Sequence, residues 1–236
     1  MGKFYDSLEA CQQLKKQPLT RGKAKTIFAD EGMKPMYSCA GVQPSRNSSQ
    51  VLDHPPFMSN LPMEHWKRLL KMVRWAETVF ESFADAKILR HIHSAKEVVP
   101  FKTFRIPGTN CCSNYFGGVA FGPNVFLRCH TDEDFTLSVA MVLLNGEDAY
   151  HPDSPVVAHF CFPTEGFAVP MRPGSFLLFD ATVPHAISSR SQSSDTVMCI
   201  SFYLKSKVVG LNNNSLKLTK EQELLASLHS CMLKNR

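Results

Sequence analysis

The spacing of apolar positions changes character along this chain. Trp66, Leu69, Leu70, Val73 and Phe80 recur at helical spacing, and Lys67, Arg68, Lys71, Arg74 and Glu77 fill the opposite face. That period predicts an amphipathic helix whose apolar stripe lies on a sheet. Pro62 suits the first helical position, Ser59 or Asn60 stands close enough to cap it, and the pattern continues, with or without a break, towards Ile92. Beyond it the period shortens to β-type runs at 101–106, 115–121, 125–130, 136–144, 156–162, 167–169, 175–179, 185–188 and 196–204. Asn145-Gly146, Pro152-Asp153-Ser154, Glu165-Gly166 and Pro173-Gly174 punctuate them as turns. A capping box, Thr219-x-x-Gln222 ahead of Leu224, Leu225 and Leu228, predicts a last helix.

Many short strands with regular turns read as a sandwich or barrel, and a jelly roll is the version that encloses a site between two sheets. The expected class is therefore mainly β with flanking helices (α+β). Four stretches make one domain: an irregular basic segment at 1–58, a helical support at 59–98, a β core at 99–206 and a C-terminal helix at 207–236. A chain of 236 residues is long enough to bury a substantial core.

Composition narrows the setting more than the chemistry. With 44% hydrophobic and 20% charged residues the chain is globular in type, with no disordered majority. No run of eighteen apolar residues occurs and the first residues lack the apolar block of a signal peptide, so the expected location is intracellular, cytoplasmic or nuclear, with no membrane partner. Eight cysteines without a C-x-x-C pair argue against a zinc ribbon and fit buried thiols. The net charge of +5 sits on the ends: 1–50 carry eight Lys/Arg against four Asp/Glu, and 205–236 carry six against two. Solvated tails explain that, and an anionic partner such as nucleic acid is the other reading.

The candidate chemistry is His130-Thr131-Asp132, followed 55 residues later by His185. Residues two apart at a strand end can both reach one ion. Two imidazoles and a carboxylate form the facial triad of non-haem Fe(II) sites, which leaves three octahedral positions open for O2 chemistry. A second His-x-Asp, His151-Pro152-Asp153, competes for the role. Pro152 cannot occupy a ladder position and the surrounding Tyr-His-Pro-Asp-Ser-Pro is a turn, so His130 and Asp132 are the better ligands. Asp134 and Glu133 read as loop charges or partners of a ligand imidazole, and His159 as a core histidine.

Taken with the apolar strand 136–144, the segment His159-Phe-Cys-Phe-Pro163 and the lead-in Pro173-Gly-Ser-Phe-Leu-Leu-Phe179 before Pro184-His185, the motif resembles the Fe(II)- and 2-oxoglutarate-dependent oxygenases over about residues 100 to 205. The resemblance implies a double-stranded β-helix, packed here by an N-terminal helix. It implies Fe(II) held by His130, Asp132 and His185, with 2-oxoglutarate and O2 consumed to hydroxylate a C–H bond and succinate and CO2 released.

The family places an Arg or Lys about ten residues past the second histidine to anchor the distal carboxylate of 2-oxoglutarate. Asp195-Thr196-Val197 stands there instead. Lysine is absent between Thr103 and Leu204, so the cation must come from Arg105, Arg128, Arg172 or Arg190, or from Lys205 just beyond. Strand alternation puts Arg128 on the face of His130 and Arg190 on the other face from His185 unless a bulge intervenes, which ranks Arg128 ahead of Arg190. Tyr115, Asn114 and Asn124 could add hydrogen bonds to the cosubstrate. The missing base leaves open an oxygenase with a different cosubstrate, or a jelly-roll binding module without catalysis. The substrate class stays open among a nucleic-acid base, a protein side chain and a small metabolite, and the oligomeric state is not fixed by the sequence.

Overall fold

The computed structural model describes residues 2–14, 38–44, 51–98, 102–123, 125–135, 137–144, 153–188 and 197–210. In chain order they form helix α1 (Gly2–Gln13), strands β1 (Ser38–Gly41), β2 (Gln43–Pro44) and β3 (Val51–Leu52), a 3-10 turn at Pro56–Asn60, and helices α2 (Met63–Phe83) and α3 (Ala86–Val98). Then come β4 (Gly118–Pro123), β5 (Phe126–His130), β6 (Leu137–Leu144), β7 (Ala158–Phe162), β8 (Phe167–Met171), β9 (Phe176–Asp180), β10 (His185–Ser188), β11 (Val197–Tyr203) and the short helix α4 (Ser206–Gly210).

A five-stranded sheet in the order β1-β4-β11-β6-β9 faces a four-stranded sheet in the order β5-β10-β7-β8, and every pairing in both is antiparallel. The chain alternates between the sheets as it winds, which is the double-stranded β-helix expected from the sequence. The burial of both faces explains why β6 and β11 read as apolar runs interrupted only by Ser138 and Ser201. Val139, Met141 and Leu143 of β6, with Met198, Ile200 and Phe202 of β11, join one buried cluster with Trp66, Leu69, Val73 and Phe80 of α2. Ala140, Val142, Leu144, Val197 and Cys199 point the other way, into a second cluster with Phe160, Phe162, Met171 and Ile187 from the facing sheet. A strand covered on both faces has no polar side to show.

Several expectations need correcting. The segment 1–58 is not wholly irregular: α1 buries Leu8 and Cys11 in the α2 cluster, and β1 pairs with β4 to complete the larger sheet. Pro62 precedes α2 as its N-cap instead of opening it, its carbonyl accepting from the backbone of His65, while Ser59 and Asn60 belong to the 3-10 turn. The helix breaks at Ala84-Asp85, where the Asp85 carboxylate accepts from the backbone N–H of Lys87 and starts α3. Residues 102–106 make only an isolated bridge, Arg105 to Cys112, and no sheet strand. Glu77, placed by its period on the solvent face, is 2% exposed, because its carboxylate accepts from the backbone N–H groups of Asn114, Tyr115 and Phe116 at 3.0, 2.5 and 3.0 Å. The C-terminal helix expected around residues 219–228 lies outside the described residues, as do Asn124, His151, Arg190 and the turn at Asn145-Gly146. No helix among the described residues is long and apolar enough to cross a membrane.

Candidate metal centre

His130 ends β5 and His185 opens β10, and the two strands pair so that these residues stand directly opposite one another. Their rings lie 4.4 Å apart, centroid to centroid. Asp132 follows in the loop after β5, held there by its backbone N–H, which donates to the Ala181 carbonyl beyond β9 at 2.8 Å. The three residues can each offer one ligand atom, all within 4.8 Å of one another.

The donor atoms are prepared for an ion. The Nδ1 of His130 lies 2.7 Å from the Arg128 carbonyl and the Nδ1 of His185 lies 2.8 Å from the Val183 carbonyl. A carbonyl only accepts, so each Nδ1 carries the proton and each Nε2 is left with its lone pair. Both Nε2 atoms face the Asp132 Oδ2, at 3.8 and 3.9 Å. Those separations are too long for hydrogen bonds and leave room for a cation between three electron-pair donors. Backbone carbonyls that fix the imidazole tautomer are the usual outer support of a metal-bound histidine. Two nitrogens and one carboxylate oxygen, with no thiolate, suit a borderline divalent metal such as Fe(II).

His185 is 4% exposed, with the Phe160 ring stacked on it at 5.5 Å and 10° and the Phe179 ring edge-on at 5.0 Å. That burial pushes its imidazole below the ordinary histidine range, which favours the neutral form a metal requires. The cavity beside the triad runs between the sheets along Leu127, Ala140, Phe160, Ile187 and Cys199 and on to Ser201, Tyr203 and Lys205. Cys199, Ser201 and Tyr203 line it as alternate residues of β11, and Lys205 follows just beyond the strand.

Arg128 does not share this cavity. Between the pairs His185 with His130 and Ile187 with Leu127, β10 advances two residues while β5 advances three. The extra residue is a bulge, which returns Leu127 to the cavity face and turns Arg128 outward, where it is exposed. Tyr115 is also elsewhere: it packs against Phe80 on the helical side and its hydroxyl meets the Nε2 of His93 at 2.9 Å. Arg172 donates to the Ser154 carbonyl, and Arg105 lies beside Asp53 at 3.9 Å. Among the described residues Lys205 is the one Lys or Arg that lines the cavity. His159 is exposed on the outer face of β7, and the residue of that strand that lines the cavity is Phe160, which sequence reasoning passed over.

Lys205 is joined to both carboxylates of the motif loop. Its Nζ donates to the Asp134 Oδ1 at 2.6 Å and to the Asp132 Oδ1 at 3.3 Å, and it stands 4.8 Å above the Tyr203 ring. Burial works against its charge, but the neighbouring Asp134 and Asp132 outweigh that and hold the ammonium above the usual lysine range.

No known protein family matches the chain by sequence, and no curated protein matches it. Solved structures do. NgTET1 in complex with 5mC DNA is similar over 85% of this chain and 71% of its own, with a TM-score of 0.53 at 10% identity. A prolyl-4-hydroxylase from Pseudomonas putida is similar over 86% of both chains at 12% identity and a TM-score of 0.38. A prolyl hydroxylase from Trichoplax adhaerens, in complex with a hypoxia inducible factor peptide fragment, follows at 10% identity and 0.39, over 92% of this chain and 83% of its own. The likeness to NgTET1 is one of fold; this chain's own fold is a double-stranded β-helix with His130, Asp132 and His185 gathered at the end of one strand pair.

Proposed function

We propose that this chain is a non-haem Fe(II) dioxygenase that uses 2-oxoglutarate and O2 to hydroxylate a C–H bond of its substrate, releasing succinate and CO2. The observation that carries the reading is the convergence of the Nε2 atoms of His130 and His185 on the Asp132 Oδ2, with both imidazoles held in the ligand tautomer by backbone carbonyls. Fe(II) bound there would supply three open coordination positions and the redox chemistry that O2 activation needs.

The remaining work falls to the chain. Phe160 and Phe179 hold the His185 ring from two sides and keep water from it. Leu127, Ala140 and Ile187 give the cavity apolar walls against which the carbon skeleton of a substrate can pack beside the triad. Ser201, Tyr203 and Lys205 put polar groups along one wall, where an anionic cosubstrate can be received. Arg190, of the residues expected from the sequence to anchor its distal carboxylate, stays in the proposal; Arg128 and Tyr115 do not.

The test is spectroscopic. Apoprotein loaded anaerobically with Fe(II) and then with 2-oxoglutarate should develop a visible metal-to-ligand charge-transfer band, absent when either addition is omitted. Fe(II) uptake without that band rejects chelation of 2-oxoglutarate and leaves an oxygenase with another cosubstrate.

A further inference from the structure

We infer that Lys205 is a positioning residue that holds Asp132 as a one-oxygen ligand, gripping its Oδ1 so that only Oδ2 faces the histidines. This rests on the reading of His130, Asp132 and His185 as a metal site. Asp132 lies in a loop, where nothing in strand geometry fixes its carboxylate. The structure fixes it in another way. The loop 133–135 is zipped to the chain beyond β11: the Phe135 N–H donates to the Leu204 carbonyl at 2.7 Å, the Ser206 N–H donates to the Glu133 carbonyl at 3.0 Å, and Asp134 and Lys205 form an antiparallel bridge.

Upon that backbone sits a chain of side chains. The Ser138 hydroxyl donates to the Asp134 Oδ2 at 2.7 Å, the Asp134 Oδ1 receives Lys205, and Lys205 reaches on to the Asp132 Oδ1. Asp134 is buried, so its charge needs Lys205, and the strong pair fixes where the ammonium stands. A lysine held in that way can orient a third group. The two oxygens of Asp132 are thereby divided: Oδ1 to Lys205 at 3.3 Å, and Oδ2 to the two Nε2 atoms. Without the grip the carboxylate is free to rotate, to take the ion through both oxygens or to swing into solvent. Outer partners of this kind typically change metal affinity by about 10–100-fold.

The experiment must separate orientation from charge, because removing a cation beside the site would by itself favour a divalent ion. The double replacement K205M/D134N removes one positive and one negative charge, leaves the net charge of the site unchanged, and keeps an acceptor for Ser138. It also avoids the buried uncompensated carboxylate that K205M alone would leave. Co(II) is titrated into apo wild type, K205M/D134N and K205R, with the visible Co(II) spectrum as readout and thermal unfolding recorded for each. We expect Co(II) to bind K205M/D134N about 10-fold or more weakly, with an altered spectrum, and K205R to stay within about threefold of wild type. Wild-type affinity and spectrum in K205M/D134N, or tighter binding, overturns the inference while the metal site stands. Failure of wild type itself to bind Co(II) overturns the metal reading and this inference together. Should K205M/D134N not fold, K205R decides alone: loss of Co(II) binding in a folded K205R contradicts a role that any cationic donor at this position fills.

Discussion

The single residue with the most misleading sequence context is Glu77. Helical period puts it among Lys67, Lys71 and Arg74, yet the loop from Ser113 to Phe116 passes over it and presents three backbone N–H groups with no strand to receive them. A buried carboxylate is tolerated because it meets that need. Burial pushes its carboxyl above the ordinary range, and the three donors oppose the shift. Replacing Glu77 with Ala strands all three donors, and we expect a loss of about 3 kcal/mol or more in urea unfolding. Glu77→Gln keeps one acceptor oxygen and should cost less. A loss below about 1 kcal/mol for the Ala variant would mean that water or a shifted loop replaces the side chain. The metal ligands were legible for the opposite reason: His130 and His185 stand at strand ends, which hydrophobic alternation reports, and Asp132 follows His130 by two residues.

At the scale of elements, the sequence marks most core strands because each buries a face. It misses β1, a short edge strand within a basic segment, whose Ser38, Cys39, Ala40 and Gly41 carry little apolar signal. It also misses the bulge in β5, since one extra residue leaves no trace in composition, and with that bulge goes the argument from parity that favoured Arg128. Gly41 shows what the edge requires. Its φ is +92°, and a Cβ there would stand 2.4 Å from the Gly117 carbonyl oxygen, against the turn that leads into β4. Gly108 has a φ of +72° but open space around it. Gly41→Ala should therefore destabilise by about 2 kcal/mol or more, and Gly108→Ala by about 1 kcal/mol. For a chain of this size each kcal/mol lowers Tm by roughly 2–4 °C, so thermal unfolding resolves the two. Equal shifts would remove the steric argument for the β1–β4 edge.

For the molecule as a whole, the two clusters divide the labour. Helices α1, α2 and α3 cover one face of the larger sheet and leave its other face to the smaller sheet, whose β5 and β10 carry the histidines into the space between the two. Hydropathy along the chain conveys that architecture, since β6 and β11 are apolar on both sides. The cavity is less readable, because its polar wall comes from Ser201, Tyr203 and Lys205 in and just beyond an otherwise apolar strand, and its position depends on how two sheets face each other. The central claim is that His130, Asp132 and His185 hold one divalent ion while His151 does not. Anaerobic equilibrium dialysis against Fe(II) tests it most directly. Wild type and His151→Ala should each retain one ion per chain, and Asp132→Ala none; an Asp132→Ala variant that still holds the ion, or a wild type that holds none, would contradict the account.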